Sequence, residues 1–288
     1  GFAASRWMND HVGDEFAYES ERTAAAIQQR FDTYQEVLRG LQGLFVSSPE
    51  VSRAEFRAYV ELLRLAERYR NVEEFWFARH VSAAGRPDYE ARVRRELGQG
   101  GADGFAIRPA GERDEYLVVE YVHPLAENRR FLGSDLLTVP ERKDAIARTR
   151  KTHQLVLSGR LSGMNGTAHY ALIAAIPARS GQGFAGTVSM VFRPAEVVGT
   201  AAQQQNIAGL DLEIYDDAEA AARGDVARRV LVHDGKSDAA QLTRAGPPTR
   251  FQRTLPIKIG DREWALVVTA LPEYKAAAAE MWLPTILV

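Results

Sequence analysis

Between Asp14 and Leu44 the chain runs for roughly 30 residues without a proline, and Phe16, Ile27, Phe31, Tyr34, Val37, Leu38, Leu41 and Leu44 recur at spacings of three and four. Residues three and four apart share one side of an α-helix, so this spacing predicts a single long amphipathic helix. A periodic run of this length exceeds the usual globular helix and points to a coiled coil, a membrane span or a helical array. No stretch of the chain approaches the roughly 20 apolar residues that cross a bilayer, which favours a stalk or dimer helix.

Ser47-Ser48-Pro49 ends this run, and Ser52-Arg53-Ala54-Glu55 has the spacing of a capping box, which predicts a second helix from Arg53 to about Tyr69. Val72 to Val81 and Tyr116 to Val122 read as strands, with a helix over Asp88–Leu97 and a glycine-rich loop at Gly98–Gly101 between them. Pro140 opens a helix through Lys151, followed by strands at Leu155–Leu161, Ala168–Ile176 and Gly186–Phe192. A connecting helix over Pro194–Gln205 leads to four short strands, Asp211–Tyr215, Arg229–His233, Thr249–Ile257 and Glu263–Ala270, which form a second, smaller sheet. Strands in runs with helices inserted unevenly indicate an α+β chain.

Composition narrows the function. With 45% hydrophobic residues in 288, the chain can bury a large core or two smaller ones. Thirty-six Lys and Arg stand against 38 Asp and Glu, a net charge of −2, so no global field favours nucleic acid. The absence of cysteine removes disulfides, thiolate catalysis and cysteine-based zinc sites. The six histidines lack the short spacings of metal ligands, so no metal or cofactor is expected. Gly181-Gln182-Gly183-Phe184-Ala185-Gly186 matches the dinucleotide fingerprint in letters, but that motif needs a helix after it, and Thr187–Phe192 reads as a strand. Neither Ser158 nor Ser162 sits in a Gly-x-Ser-x-Gly elbow, so no catalytic residue is assigned. Glu120 and Asp135 are carboxylates that a pocket could use for acid-base work, but sequence spacing does not show them to be close to each other.

The stretch Glu120-Tyr121-Val122-His123-Pro124-Leu125-Ala126-Glu127-Asn128, then Gly133-Ser134-Asp135-Leu136, then Arg142-Lys143-Asp144-Ala145, resembles the central signature of CHASE domains. That signature is a strand ending in an acid or His and Pro, an Asn, a Gly-x-Asp and an Arg-x-x-Ala helix. Phe31–Ser48, Glu55–Arg57, Phe75–Val81 and Gly186–Glu196 resemble its flanking elements. The resemblance implies a long N-terminal helical stalk followed by two tandem PAS-like antiparallel-sheet modules: a stalk over 1–72, a membrane-distal ligand-binding module over 73–195, a membrane-proximal module over 196–272, and an exit helix over 273–288. It further implies an extracytoplasmic sensor held between two membrane helices, homodimeric through the N-terminal helix, with a histidine kinase or diguanylate cyclase as output. The apolar Trp282–Val288 then reads as the start of the second membrane helix.

The resemblance also assigns a site. In plant relatives an aspartate at the position of Asp135 accepts hydrogen bonds from an adenine-type, cytokinin-like ligand, a role that suits an acceptor-only carboxylate. A helix N-cap or turn role for Asp135 is the alternative. Leu157 aligns with a pocket strand, and Tyr121, Ile176 and Ser189 face the pocket if their strands alternate as expected. Ser134 stands where the family often has an aromatic or larger residue, and His123 where an acid is common, so ligand identity is not carried over. Two other readings remain: a dimerisation or partner-binding module without a small ligand, and a soluble enzyme using Asp135, Glu120 or His123.

Overall fold

The computed structural model describes residues 2–64, 72–98, 105–162, 168–179, 183–205, 209–225, 229–234, 251–271 and 274. Helix α1 covers Phe2–Ser47, longer at both ends than its apolar stripe required. Tyr69, the expected end of the second helix, and the exit helix expected over 273–288, apart from Tyr274, lie outside the described residues. Among the described residues no helix is long and apolar enough to cross a membrane. The chain forms two compact units, Thr33–Arg193 and the pair of segments Gly1–Asp32 and Pro194–Val288.

The Thr33–Arg193 unit is built on an antiparallel sheet. Its strands are β1 (Val72–Ser82), β2 (Glu115–His123), β3 (Val156–Leu157), β4 (Leu161–Ser162), β5 (Ala168–Pro177) and β6 (Phe184–Phe192). The order is β2-β1-β6-β5-β3, with β4 also pairing β5. The region Leu155–Leu161, expected as one strand, is two short pieces, and a strand follows Gly183 where the dinucleotide fingerprint would need a helix.

Side chains alternate between the two sheet faces. On one face lie Phe77, Tyr121, Tyr170, Leu172 and Phe192, covered by the C-terminal part of α1 and by α2 (Arg53–Leu62). Tyr34 meets Phe192 edge-on at 6.1 Å, and Phe45 stacks on Phe77 at 4.3 Å. Tyr34, Leu38 and Leu41 are fully buried, each removing a large apolar side chain from water at about 1.5–3 kcal/mol. The capping box forms as predicted: Ser52 Oγ accepts the Glu55 N–H at 3.2 Å, and the Glu55 carboxylate accepts the Ser52 N–H at 2.8 Å.

The opposite face carries Trp76, Ala78, Val118, Ala171, Ile173 and Val191. Helix α3 (Arg86–Leu97), helix α5 (Pro140–Thr152) and the segment between Phe105 and Val139 pack onto it. That segment includes the one-turn helix α4 (Leu125–Asn128) and two 3₁₀ turns.

The other unit has helices α6 (Pro194–Gln205) and α7 (Ala218–Arg223) and a four-stranded antiparallel sheet in the order β8-β7-β10-β9. These strands are β7 (Leu210–Tyr215), β8 (Arg229–Asp234), β9 (Gln252–Ile259) and β10 (Arg262–Ala270). Phe31 meets the fully buried Trp264 edge-on at 6.2 Å. Edge strand β9 is tied to α1 by the Gln28 amide, which donates to the Lys258 carbonyl at 2.9 Å and accepts the Lys258 N–H at 2.8 Å. A side chain here completes a strand edge that would otherwise present open hydrogen bonds.

Candidate ligand-binding site

A cavity of about 1220 Å³ lies in the Thr33–Arg193 unit, somewhat above the roughly 300–1,000 Å³ typical of small-molecule sites. Its floor is the sheet face that carries Trp76 and Val191, and its wall is largely the stretch from Pro124 to Arg142. This is the same stretch that resembles the CHASE signature, and the structure gives its letters physical roles.

Gly133 has φ +83°, and a Cβ there would come within 2.5 Å of the Ala106 carbonyl oxygen, so both backbone conformation and space demand glycine. Its N–H donates to the Val119 carbonyl at 2.9 Å, and its carbonyl accepts the Arg108 N–H at 2.8 Å. Ser134 is held by its backbone to Val119 and lines the cavity. Asn128 donates to the Pro124 carbonyl at 3.0 Å and closes the one-turn helix.

Asp135 borders the cavity, but its carboxylate is fully buried and engaged. Oδ1 accepts the N–H groups of Leu117 at 3.0 Å and Leu137 at 3.1 Å, and Oδ2 accepts Nε of Arg113 at 3.0 Å. Asp135 is thus the N-cap of a 3₁₀ turn and a bolt between that turn and β2.

The other candidates are dispersed. Tyr121, Leu157 and Ile176 lie on the sheet face that α1 covers, as their pairing with Phe77, Leu172 and Gly186 requires. Tyr121 donates its hydroxyl to the Val51 carbonyl at 2.9 Å, and burial pushes its pKa up to about 12. Ser189 lies on the cavity face opposite Trp76, buried but outside the wall itself. The structure therefore brings Asp135 and Ser189 to the cavity side and leaves the other three behind the sheet.

Glu120 is also occupied. Burial works to raise its pKa, but Arg79 at 2.6 Å and Arg92 at 3.0 Å outweigh it and hold the carboxyl below its usual range. Neither Glu120 nor Asp135 is placed as a free proton carrier.

Reasoning from the sequence missed the aromatic and cationic part of the wall. Trp76 packs against Phe131 with centroids 5.0 Å apart, and the Arg142 guanidinium lies over the Trp76 ring at 4.4 Å. Arg142 sits in the first turn of α5 and is 7% exposed. Burial draws its pKa down to about 10, opposed by the nearby Glu74 charge. Burial pushes Glu74 the other way, upward, against the pull of the Trp76 indole and of Arg142. Glu73 is paired with Arg193 at 2.6 Å and His169 at 2.7 Å.

A long helix leading into antiparallel PAS-like sheets, one of them backed by a small-molecule cavity, is the architecture of an extracytoplasmic sensor domain. The family model of the CHASE domain matches residues 49–224, and the chain belongs to that family. No curated protein matches the sequence. Among solved structures, an extracellular ligand-binding receptor from Desulfohalobium retbaense superposes with TM-score 0.54 at 16% identity, covering 88% of this chain and 40% of the receptor chain. The ligand-binding domain of the Pseudomonas aeruginosa PAO1 amino acid chemoreceptor PctB, in complex with L-Arg, gives 0.51 at 11% identity over 95% of this chain and 93% of that one. Methyl-accepting chemotaxis protein X gives 0.51 at 11%, over 90% and 97%. At these identities the likeness is one of fold.

Proposed function

We propose that this chain is the ligand-sensing part of a bacterial transmembrane receptor, and that its ligand binds in the cavity of the Thr33–Arg193 unit. The observation that carries this reading is that the family's signature stretch, Pro124 to Arg142, forms the wall of a cavity of about 1220 Å³. In this reading that unit is the membrane-distal module, α1 mediates a homodimer, and a histidine kinase or diguanylate cyclase supplies the output. The signal is a population shift: a ligand that binds one packing of the unit more tightly than another biases the receptor towards it. The similar receptors include one solved with L-Arg, which supports a small polar ligand here.

The test is a thermal-shift screen of the chain against purines, cytokinins, amino acids and small organic acids, repeated on Ser134→Trp, which fills the cavity. A ligand that binds only the folded state raises the melting temperature. A rise that the substitution abolishes supports the cavity. A rise that it leaves unchanged moves the site elsewhere, and no rise with any compound favours a module that works by dimerisation alone.

A further inference from the structure

Within this cavity, and resting on the reading of it as the sensor site, we propose that the ligand is a monoanion whose carboxylate docks on Arg142, with an apolar body against Phe131, Leu161 and Val191. Arg142 is 7% exposed, and its Nη1 has no hydrogen-bond partner among the described residues. No described carboxylate lies within ion-pair distance of its guanidinium. A buried charge without a partner is costly, so sequences retain one where something else supplies the counter-charge.

Among the other charged groups of the wall, Arg130 and Arg160 are exposed to water, and most of the buried ones are paired. Asp135 is ion-paired with Arg113, and Glu73 with Arg193, with His169 within 2.7 Å of Glu73 as well. Arg108 donates to the carbonyls of Arg130 and Leu132, both at 2.6 Å. Glu74 lines the cavity near Arg142, and burial works against its charged form, but it makes no ion pair with the guanidinium among the described residues.

The Trp76 ring fixes the plane of the guanidinium, and its Nε1 is a second buried donor without a well-aligned partner. Glu74 is near enough to feel that N–H but does not accept it in hydrogen-bonding geometry. A planar fork beside an indole N–H matches a carboxylate.

Titration calorimetry of the chain with benzoate, phenylacetate and hexanoate, each against its primary amide, and with adenine as a neutral heterocycle, tests this. The acids should bind at least about tenfold more tightly than their amides, the loss expected when a charge-assisted hydrogen bond is removed. Arg142→Met should weaken acid binding by about 10- to 100-fold without lowering the melting temperature of the free protein, since it removes a buried unpaired charge. Trp76→Phe, which keeps the ring and loses the N–H, should weaken the acids and spare the amides.

Equal binding of acids and amides, or acid binding unaffected in Arg142→Met, overturns the inference. Binding of adenine alone, abolished by Ser134→Trp, overturns it while leaving the cavity as the sensor site. A wild-type chain that binds none of these probes counts against both.

Discussion

Nε of Arg113 sits 3.0 Å from Oδ2 of a fully buried Asp135, and the other oxygen of that carboxylate is taken by the N–H groups of Leu117 and Leu137. These bonds tie the turn that carries Asp135 to β2 through Leu117 and to the segment before β2 through Arg113. Asp135→Ala should therefore destabilise the chain by about 3–5 kcal/mol, the usual effect of breaking a buried ion pair from one side. Urea unfolding at neutral pH measures it. A double-mutant cycle with Arg113→Ala should return a coupling energy well above zero. A fully stable Asp135→Ala that has only lost ligand would contradict this.

Gly133 precedes this pair and accounts for the glycine in the motif. Its φ of +83° costs an alanine about 1–3 kcal/mol by itself, and the contact with the Ala106 carbonyl adds to that. Gly133→Ala should lower the midpoint of unfolding as clearly as Asp135→Ala does, whereas Gly98→Ala, at a positive φ but with open space around it, should lower it less.

Much of this was legible in the sequence. The stripe Phe16–Leu44 became α1 because spacing of three and four is a local property of a helix. Ser52 and Glu55 met because capping is local too. Which sheet face holds the cavity is not local: it depends on where α1 packs, and a bulge between Phe77 and Ala78 shifts the register of β1 against β2. Strand alternation pointed Tyr121 and Ile176 to the pocket and the family alignment pointed Leu157 there, whereas the face these three share is the one α1 covers. Arg142 was visible as a motif letter, but an unpaired buried cation is defined by what fails to reach it in three dimensions. For Asp135 the turn reading and the site reading were both open, and the geometry carries the first.

Ser134 tests the cavity without disturbing its frame. Its carbonyl accepts the Val119 N–H at 2.9 Å and its N–H donates to the Phe131 carbonyl at 3.0 Å, while the residue itself lines the cavity. Ser134→Phe restores the size common in the family and should change stability by no more than roughly 0.5 kcal/mol, as for a half-buried position away from the core. Binding of any cavity ligand should fall sharply. Calorimetry and thermal unfolding on one preparation separate the two effects.

Acid sensitivity should centre on Glu120. Its folded pKa is held below its unfolded value, because Arg79 and Arg92 outweigh the opposing effect of burial. A carboxyl depressed on folding contributes stability that is fully present above the unfolded pKa and is lost as pH falls through the folded one. Wild-type stability should therefore decline on acidification below about pH 4.5, near the ordinary carboxylate value. Glu120→Gln should be less stable at pH 7 and should show a shallower decline. Equilibrium unfolding from pH 7 to pH 3 reads both curves, and parallel curves would remove Glu120 as the source.

Trp76 and Phe77 are consecutive on β1, yet they serve opposite faces. Trp76 lies under Arg142 at the cavity, and Phe77 stacks on Phe45 of α1 at 4.3 Å. Adjacent residues of β1 thus join the cavity wall to α1, which makes β1 a direct covalent route between them. Close packing makes that route discrete, since displaced rings must find new positions instead of sliding. Phe77→Leu keeps the volume nearly constant and should cost less than about 1.5 kcal/mol in stability. It should leave ligand affinity within a few-fold, because Phe77 does not touch the cavity. In the intact receptor it should reduce the difference in output between ligand-free and ligand-saturated states. Output that responds as in wild type would place the relay elsewhere, for example through α5, whose first turn carries Arg142.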